Sequence, residues 1–191
     1  YKNIPVGAGL GGSSADAAGV IRGMCSLYGA GTEPQLKAIA DGLGSDTGYM
    51  LTGGYAYLTG RGEIMRAIKC PNTLYGLLLI PDGGVSTARC YALFDEMCAF
   101  TKGGAGEREL VSGDLKGLGR ALCNDLFKPA AALNKGVATA YEELKSFAPL
   151  GVNMTGSGSG VYALFESREL CAYARSRYSG ECECIQFKTV L

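Results

Sequence analysis

Pro5-Val-Gly-Ala-Gly-Leu-Gly-Gly-Ser-Ser-Ala-Asp-Ala-Ala18 decides how this chain is read. Gly7, Gly9, Gly11 and Gly12 lack a β-carbon, Ser13 and Ser14 carry only a short hydroxyl, and a helix-prone segment follows at once. Glycine admits positive φ and lets a ligand come close to the peptide N–H groups. A helix N-terminus adds donors without intrahelical partners and a partial positive charge. The unit is built to hold an anion, and phosphate suits it best. As a mere helix cap it would be wasteful, because each glycine inside an ordered segment costs about 0.5–1 kcal/mol.

Spacing separates the kinds of phosphate loop. A Walker-type loop ends in Gly-Lys-Ser or Gly-Lys-Thr, and no lysine follows Gly12. The dinucleotide pattern G-x-G-x-x-G is formally present at Gly7, Gly9 and Gly12. Its context is poor, since Tyr1-Lys-Asn-Ile-Pro-Val6 is a weak strand interrupted by proline, and no βαβ unit with an acidic strand end follows.

Composition narrows the function classes. The chain has 191 residues, 47% of them apolar, enough for one or two domains with a core. Eighteen basic residues balance eighteen acidic ones with no basic block, so nucleic acid is not an expected partner. Apolar runs such as Leu77-Leu-Leu-Ile80 are too short to cross a bilayer. Tyr1-Lys-Asn-Ile-Pro5 has no secretory pattern, and the scattered cysteines fit a reducing cytosol, so a cytoplasmic location is expected.

The eight cysteines form no C-x-x-C pair and the chain contains no histidine, so no metal site is expected. Without histidine, Ser-His-Asp and Cys-His arrangements are impossible within the chain. A catalytic base must then be Asp, Glu, Lys, Tyr or Cys, and the serines read as donors to phosphate.

Periodicity supplies the frame. Ala17, Ala18, Val20, Ile21, Met24, Cys25 and Tyr28 recur at helical spacing, and Gly29 closes that helix. Thr32 caps a second helix, with Pro34 inside its start and Leu36, Ile39, Ala40 and Leu43 on one face. Residues 55–58 and 64–68 read as strands about a Gly60-Arg-Gly62 turn, and 74–80 as a buried strand. Helices are expected near 87–99, 114–122 and 134–147, and Lys102-Gly-Gly-Ala-Gly-Glu107 as an exposed loop. Strands at 152–154, 161–165 and 184–188, with a helix over 167–178, complete the pattern. The composition shift at Pro71-Asn72 divides the chain into domains 1–71 and 72–191.

The opening stretch resembles the ATP-binding motif of the GHMP kinases, the family of galactokinase, homoserine kinase and mevalonate kinase. Its extra glycine before the serines is most like the branch that phosphorylates diphosphocytidyl-methylerythritol. Leu43-Gly-Ser-Asp46, Thr59-Gly-Arg-Gly-Glu63, Val85-Ser-Thr87 with Tyr91, Asn124-Asp-Leu126 and Met154-Thr-Gly-Ser-Gly-Ser159 are similar to further segments of that branch, in the same order. The resemblance implies an α+β, two-domain GHMP kinase fold. Its first part is a partial domain of ribosomal S5 type, followed by a ferredoxin-like C-terminal domain.

It also implies an ATP-dependent small-molecule kinase that uses ATP with Mg²⁺ and an alcohol substrate. The specific expectation is transfer to the 2-hydroxyl of 4-diphosphocytidyl-2-C-methyl-D-erythritol in non-mevalonate isoprenoid synthesis. Another GHMP kinase, mevalonate- or homoserine-kinase-like, and a non-catalytic nucleotide-binding relative stay open. Pro5, Val6, Gly7, Ala8, Gly9, Leu10, Gly11, Gly12, Ser13, Ser14 and Ala15 would hold the nucleotide phosphates. Asp46 would be the catalytic carboxylate, accepting or orienting the substrate hydroxyl proton, although from the residues alone it serves equally to stabilise its own turn.

Thr155, Gly156, Ser157 and Gly158 would meet substrate or phosphate, or else form a hairpin turn. Asp16 is explained by the helix dipole, Arg61 and Glu63 by a surface ion pair, and Asn124-Asp125 as a structural feature such as a helix cap. Two departures stand out. Thr47-Gly48-Tyr49 replaces the family's Val-Pro-Phe, loosening the backbone beside Asp46. The family's upstream Pro-x-Lys-x-Asn segment has no counterpart, so the expectation is a fragment of a longer protein, without useful kinase activity by itself.

Overall fold

The computed structural model describes residues 3–97, 100 and 105–190. The chain divides into two compact units, one built from Gly11–Lys69 and the other from Pro5–Leu10 together with the chain from Cys70 on.

In the first unit α1 (Gly12–Tyr28), α2 (Glu33–Leu43) and the short α3 (Thr47–Thr52) precede a hairpin of β1 (Ala56–Thr59) and β2 (Ile64–Ala67). Gly29, in the left-handed region, ends α1 by returning its N–H to the Cys25 carbonyl. α2 starts at Thr32, the expected cap, in a capping box where the Gln35 side chain accepts from the Thr32 N–H at 2.8 Å. Antiparallel pairing sets Ala56 opposite Ala67 and Thr59 opposite Ile64. The Arg22 guanidinium donates to the Leu51 carbonyl and ties α1 to α3.

The second unit is an α+β domain. Its strands are β3 (Tyr75–Ile80), β4 (Gly151–Met154), β5 (Val161–Phe165) and β6 (Glu183–Lys188), and its helices are α4 (Thr87–Met97), α5 (Ala105–Ser112), α6 (Leu115–Ala121), α7 (Phe127–Leu133), α8 (Lys135–Lys145) and α9 (Arg168–Arg177). The sheet order is β4-β5-β3-β6 and every neighbouring pair is antiparallel. Numbered by their order in this unit, the strands run 2-3-1-4, the arrangement of a ferredoxin-like βαββαβ unit.

β3 reads as a continuous apolar run because both of its faces are covered. Leu77 and Leu79 face Val137, Ala140 and Leu144 of α8 with Cys171 and Ala174 of α9. Leu78 and Ile80 face the other way, with Ala8, Leu10, Tyr162, Ile185 and Phe187. Ala8, from the glycine stretch, is therefore a core residue of this unit, 1% exposed.

Several expectations need adjustment. α3 and α7, which contain Gly48 and Pro129, form where the sequence pattern gives no helix. Both residues lie near a helix start, where neither removes an intrahelical hydrogen bond. The expected loop over 102–107 is helical from Ala105 on, and its earlier residues lie outside the described ones. Asp16 is the fifth residue of α1, beyond its first turn.

Candidate functional site

The glycine stretch is stapled down by its carbonyls. Gly7 O accepts from the N–H groups of Ser159 (2.8 Å) and Val85 (3.2 Å), and Ala8 O accepts from Gly160 N–H at 3.0 Å. Gly9 O accepts from the Thr155 hydroxyl at 2.9 Å. In a planar trans peptide the N–H of the next residue points opposite to the carbonyl. The N–H groups of Ala8, Gly9 and Leu10 thus face away from the backing loop. Gly7, Gly9 and Gly11 take φ values of 73°, 71° and 64°, the alternating left-handed backbone that gathers N–H groups into an anion-binding concavity. Gly9 has a second reason to be glycine, since a β-carbon there would run into the Thr155 carbonyl.

The backing loop is itself fixed. Thr155 N–H bonds to Gly160 O at 2.9 Å, Gly158 N–H to Thr155 O at 3.0 Å, and the Ser159 hydroxyl donates to Pro81 O at 3.1 Å. The hydroxyls of Ser157 and Thr87 lie 2.8 Å apart. Of the four residues expected to meet substrate, Thr155 spends its hydroxyl on the glycine stretch, Ser157 is buried and paired, and Gly156 and Gly158 shape the turn at positive φ.

Two asparagines hold the surrounding loops. The Asn124 amide donates to Met154 O and Gly156 O, each at 2.9 Å, and its carbonyl oxygen accepts from Leu126 N–H at 2.9 Å. Asn134 caps α8 through Gly136 N–H and donates to Asp82 O and Gly84 O at 2.9 and 3.1 Å. A capping role was legible in the sequence for Asn124. The grip of both asparagines on distant carbonyls was not, because no local spacing encodes it.

The remaining candidates belong to the first unit. Gly11 is the left-handed residue that precedes α1, and as its N-cap it offers no side chain to the helix. The first helical N–H to turn inward is that of Ala15, bonded to Gly11 O at 2.9 Å. The amides of Gly12, Ser13 and Ser14 therefore form the positive end of a seventeen-residue helix. The Met50 side chain of α3 lies against Gly11, 2.6 Å from where a β-carbon would stand. Val6 is 82% exposed and Pro5 half-buried at the entry to the stretch.

Asp46 sits on a tight turn closed by Thr47 N–H to Gly44 O at 3.1 Å and is the N-cap residue of α3, with φ −95° and ψ −6°. Its side chain is exposed and makes no cap bond to α3, so stabilising its own turn does not account for it. Ser14 belongs to the same neighbourhood, its hydroxyl 4.0 Å from where a Gly44 β-carbon would stand. Gly62, on the β1–β2 turn, packs so closely on Ser45 that a β-carbon would lie 2.6 Å from the Ser45 carbonyl. The Thr59–Glu63 motif thus buttresses the Asp46 turn. Glu63 itself is local: its carboxylate takes the Arg61 backbone N–H at 2.7 Å, and backbone hydrogen bonds hold its pKa below the ordinary value.

Comparison with known proteins agrees with this geometry. The sequence model of the GHMP kinases N terminal domain matches residues 1–57, and that of the GHMP kinases C terminal region matches residues 107–179. A 4-diphosphocytidyl-2-C-methyl-D-erythritol kinase of Desulfitobacterium hafniense is 40% identical over 172 residues, covering 88% of this chain and 59% of the relative. The enzyme of that name from Synechococcus sp. is 38% identical over 185 residues, covering 91% of this chain and 60% of the relative. The chain thus spans about 60% of the length of these curated relatives.

A crystal structure of 4-(cytidine 5'-diphospho)-2C-methyl-D-erythritol kinase superposes with a TM-score of 0.78 at 27% identity, over 98% of this chain and 68% of that one. A homoserine kinase from Cytophaga hutchinsonii shares the fold, with a TM-score of 0.73 at 17% identity over all of this chain and 68% of that one. Two family models placed in order along the chain, and a glycine stretch folded as an anion cradle ahead of a helix, carry one conclusion: the chain belongs to the GHMP kinase family.

Proposed function

We propose that this chain carries the phosphate-binding loop and the catalytic carboxylate of a cytoplasmic, ATP-dependent kinase. Its substrate is the 2-hydroxyl of 4-diphosphocytidyl-2-C-methyl-D-erythritol. The observation that carries the kinase reading is the stapled glycine stretch, whose carbonyls at positions 7, 8 and 9 are all engaged from behind. That leaves the opposite edge of those peptide units, with their N–H groups, to receive phosphate. The substrate assignment rests on relatives 34–40% identical to this chain.

Pro5 to Ala15 bind and orient the nucleotide phosphates, chiefly through backbone N–H groups, with the Ser13 and Ser14 hydroxyls as added donors. The donor set suits a triphosphate that arrives with Mg²⁺, an ion that keeps several waters and needs few protein ligands. Asp46 accepts the proton of the substrate hydroxyl as the hydroxyl oxygen bonds to the γ-phosphorus and the bond from that phosphorus to the β,γ-bridging oxygen breaks, releasing ADP. Phosphoryl transfer asks little else of a protein than such positioning and charge stabilisation. Thr155 contributes by fixing the glycine stretch, together with Ser159 and Gly160.

The test is a coupled assay of ADP release by the full-length protein with MgATP and 4-diphosphocytidyl-2-C-methyl-D-erythritol, beside mevalonate and homoserine. Turnover with the first alcohol alone is expected. Turnover with one of the others would move the protein to another branch of the family. Nucleotide binding without turnover on any would mark a non-catalytic relative.

A further inference from the structure

We infer that Asn124 is a positioning residue for the phosphate loop, acting through the backbone of the loop behind it. This rests on the reading of the glycine stretch as a nucleotide site. Asn124 lies far from the stretch in sequence, yet its amide group holds the carbonyls of Met154 and Gly156, which flank Thr155 on both sides. Thr155 in turn donates its hydroxyl to Gly9 O. Ser159 and Gly160, at the other end of the same short loop, donate to Gly7 O and Ala8 O. One side chain therefore clamps the segment from which three consecutive carbonyls of the glycine stretch are held.

The chemistry of the amide fixes its orientation. Two carbonyl acceptors on one side demand the NH₂ group, and the Leu126 N–H on the other demands the oxygen. Asn124 thus has two separable jobs, an Asx-type cap before α7 and a clamp on 154–156. Aspartate performs the first as well as asparagine does. It cannot perform the second, because it offers oxygen where two carbonyls need a donor.

Asn124→Asp separates the jobs. In the full-length protein, calorimetric titration with MgADP is expected to show a dissociation constant raised about tenfold. The far-UV circular dichroism should be unchanged, and the midpoint should be measured well below the thermal transition. Thr155→Val removes the next link without adding charge, and should also weaken MgADP binding. It serves as well if Asn124→Asp fails to fold.

Both variants binding MgADP like the unaltered protein would overturn the clamp and leave Asn124 a plain cap. Thr155→Val binding normally while Asn124→Asp weakens would also overturn it, since the effect would then be the new charge alone. If the unaltered protein binds no MgADP, the nucleotide-site reading itself fails and the clamp falls with it.

Discussion

At the scale of single residues, Asp46 and Gly9 carry the sharpest expectations. Asp46 makes no side-chain cap bond to α3 and is exposed, so its removal should cost chemistry rather than folding. In the full-length protein Asp46→Asn should lower kcat by about 10²–10⁴-fold, the worth of a positioned base, with the dissociation constant for MgADP unchanged. Loss of turnover and binding together would make it a structural aspartate. Gly9→Ala forces a side chain into φ 71° and against the Thr155 carbonyl. Left-handed backbone alone costs about 1–2 kcal/mol. A urea titration should therefore show at least that loss of stability, and MgADP binding should fall with it. An unchanged midpoint would mean that the stretch is not held as described. The need for glycine at this position was legible in the sequence. The partner that makes it strict was not, because Thr155 lies 146 positions away.

At the scale of elements, periodic and well-capped segments were readable and short ones were not. α1, α2, α8 and α9 form where their hydrophobic spacing places them, because a helix satisfies its own interior backbone hydrogen bonds, and β3 forms where a continuous apolar run is covered on both faces. α3 and α7, of six and seven residues, exist because tertiary neighbours complete them, and no local pattern of that length outweighs a glycine or a proline. Asn134 illustrates how a cap serves more than its helix, since it also holds Asp82 O and Gly84 O. Asn134→Ala should lower the unfolding free energy by about 0.5–2 kcal/mol for the cap alone, checked by urea denaturation. A null effect would mean that water replaces all three bonds without loss.

At the scale of the whole molecule, the two units differ in how much they bury. Both hydrophobic clusters lie in the second unit, whereas the described residues of the first bury only Ala18, Ile21, Ala40 and Thr47 below a tenth exposure. Val20, Met24, Leu27, Ile39 and Leu43 of α1 and α2 are each more than half exposed. Hydrogen exchange on this 191-residue chain should therefore protect the β3 and β5 amides most and those of α1 to α3 least. Equal protection in α1 would overturn this. Among the described residues no helix is long and apolar enough to cross a membrane.

Alkaline pH tests the same core. Burial raises the thiols of Cys90, Cys171, Cys182 and Cys184 above the ordinary 9.0, and the phenols of Tyr162 and Tyr178 above 10.0. Above those ordinary values the unfolded chain loses protons that the folded one keeps, so stability falls as pH rises. The urea midpoint should drop between about pH 9 and 10.5. A rising midpoint would reverse the sign.

By itself the sequence determined the glycine-rich stretch, the helix it feeds, the buried central strand and the exclusion of any histidine chemistry. These rest on properties that each residue or its near neighbours carry: absence of a β-carbon, apolar period, and the absence of an entire residue type. Only the tertiary structure decided which edge of the glycine stretch faces its own protein and which is left to a ligand. That choice lies in hydrogen bonds from Val85, Thr155, Ser159 and Gly160, which come together only when β3, β4 and β5 pair in one sheet. Pairing between distant segments leaves no trace in local spacing, so the residue that clamps them, Asn124, shows its second role in three dimensions alone.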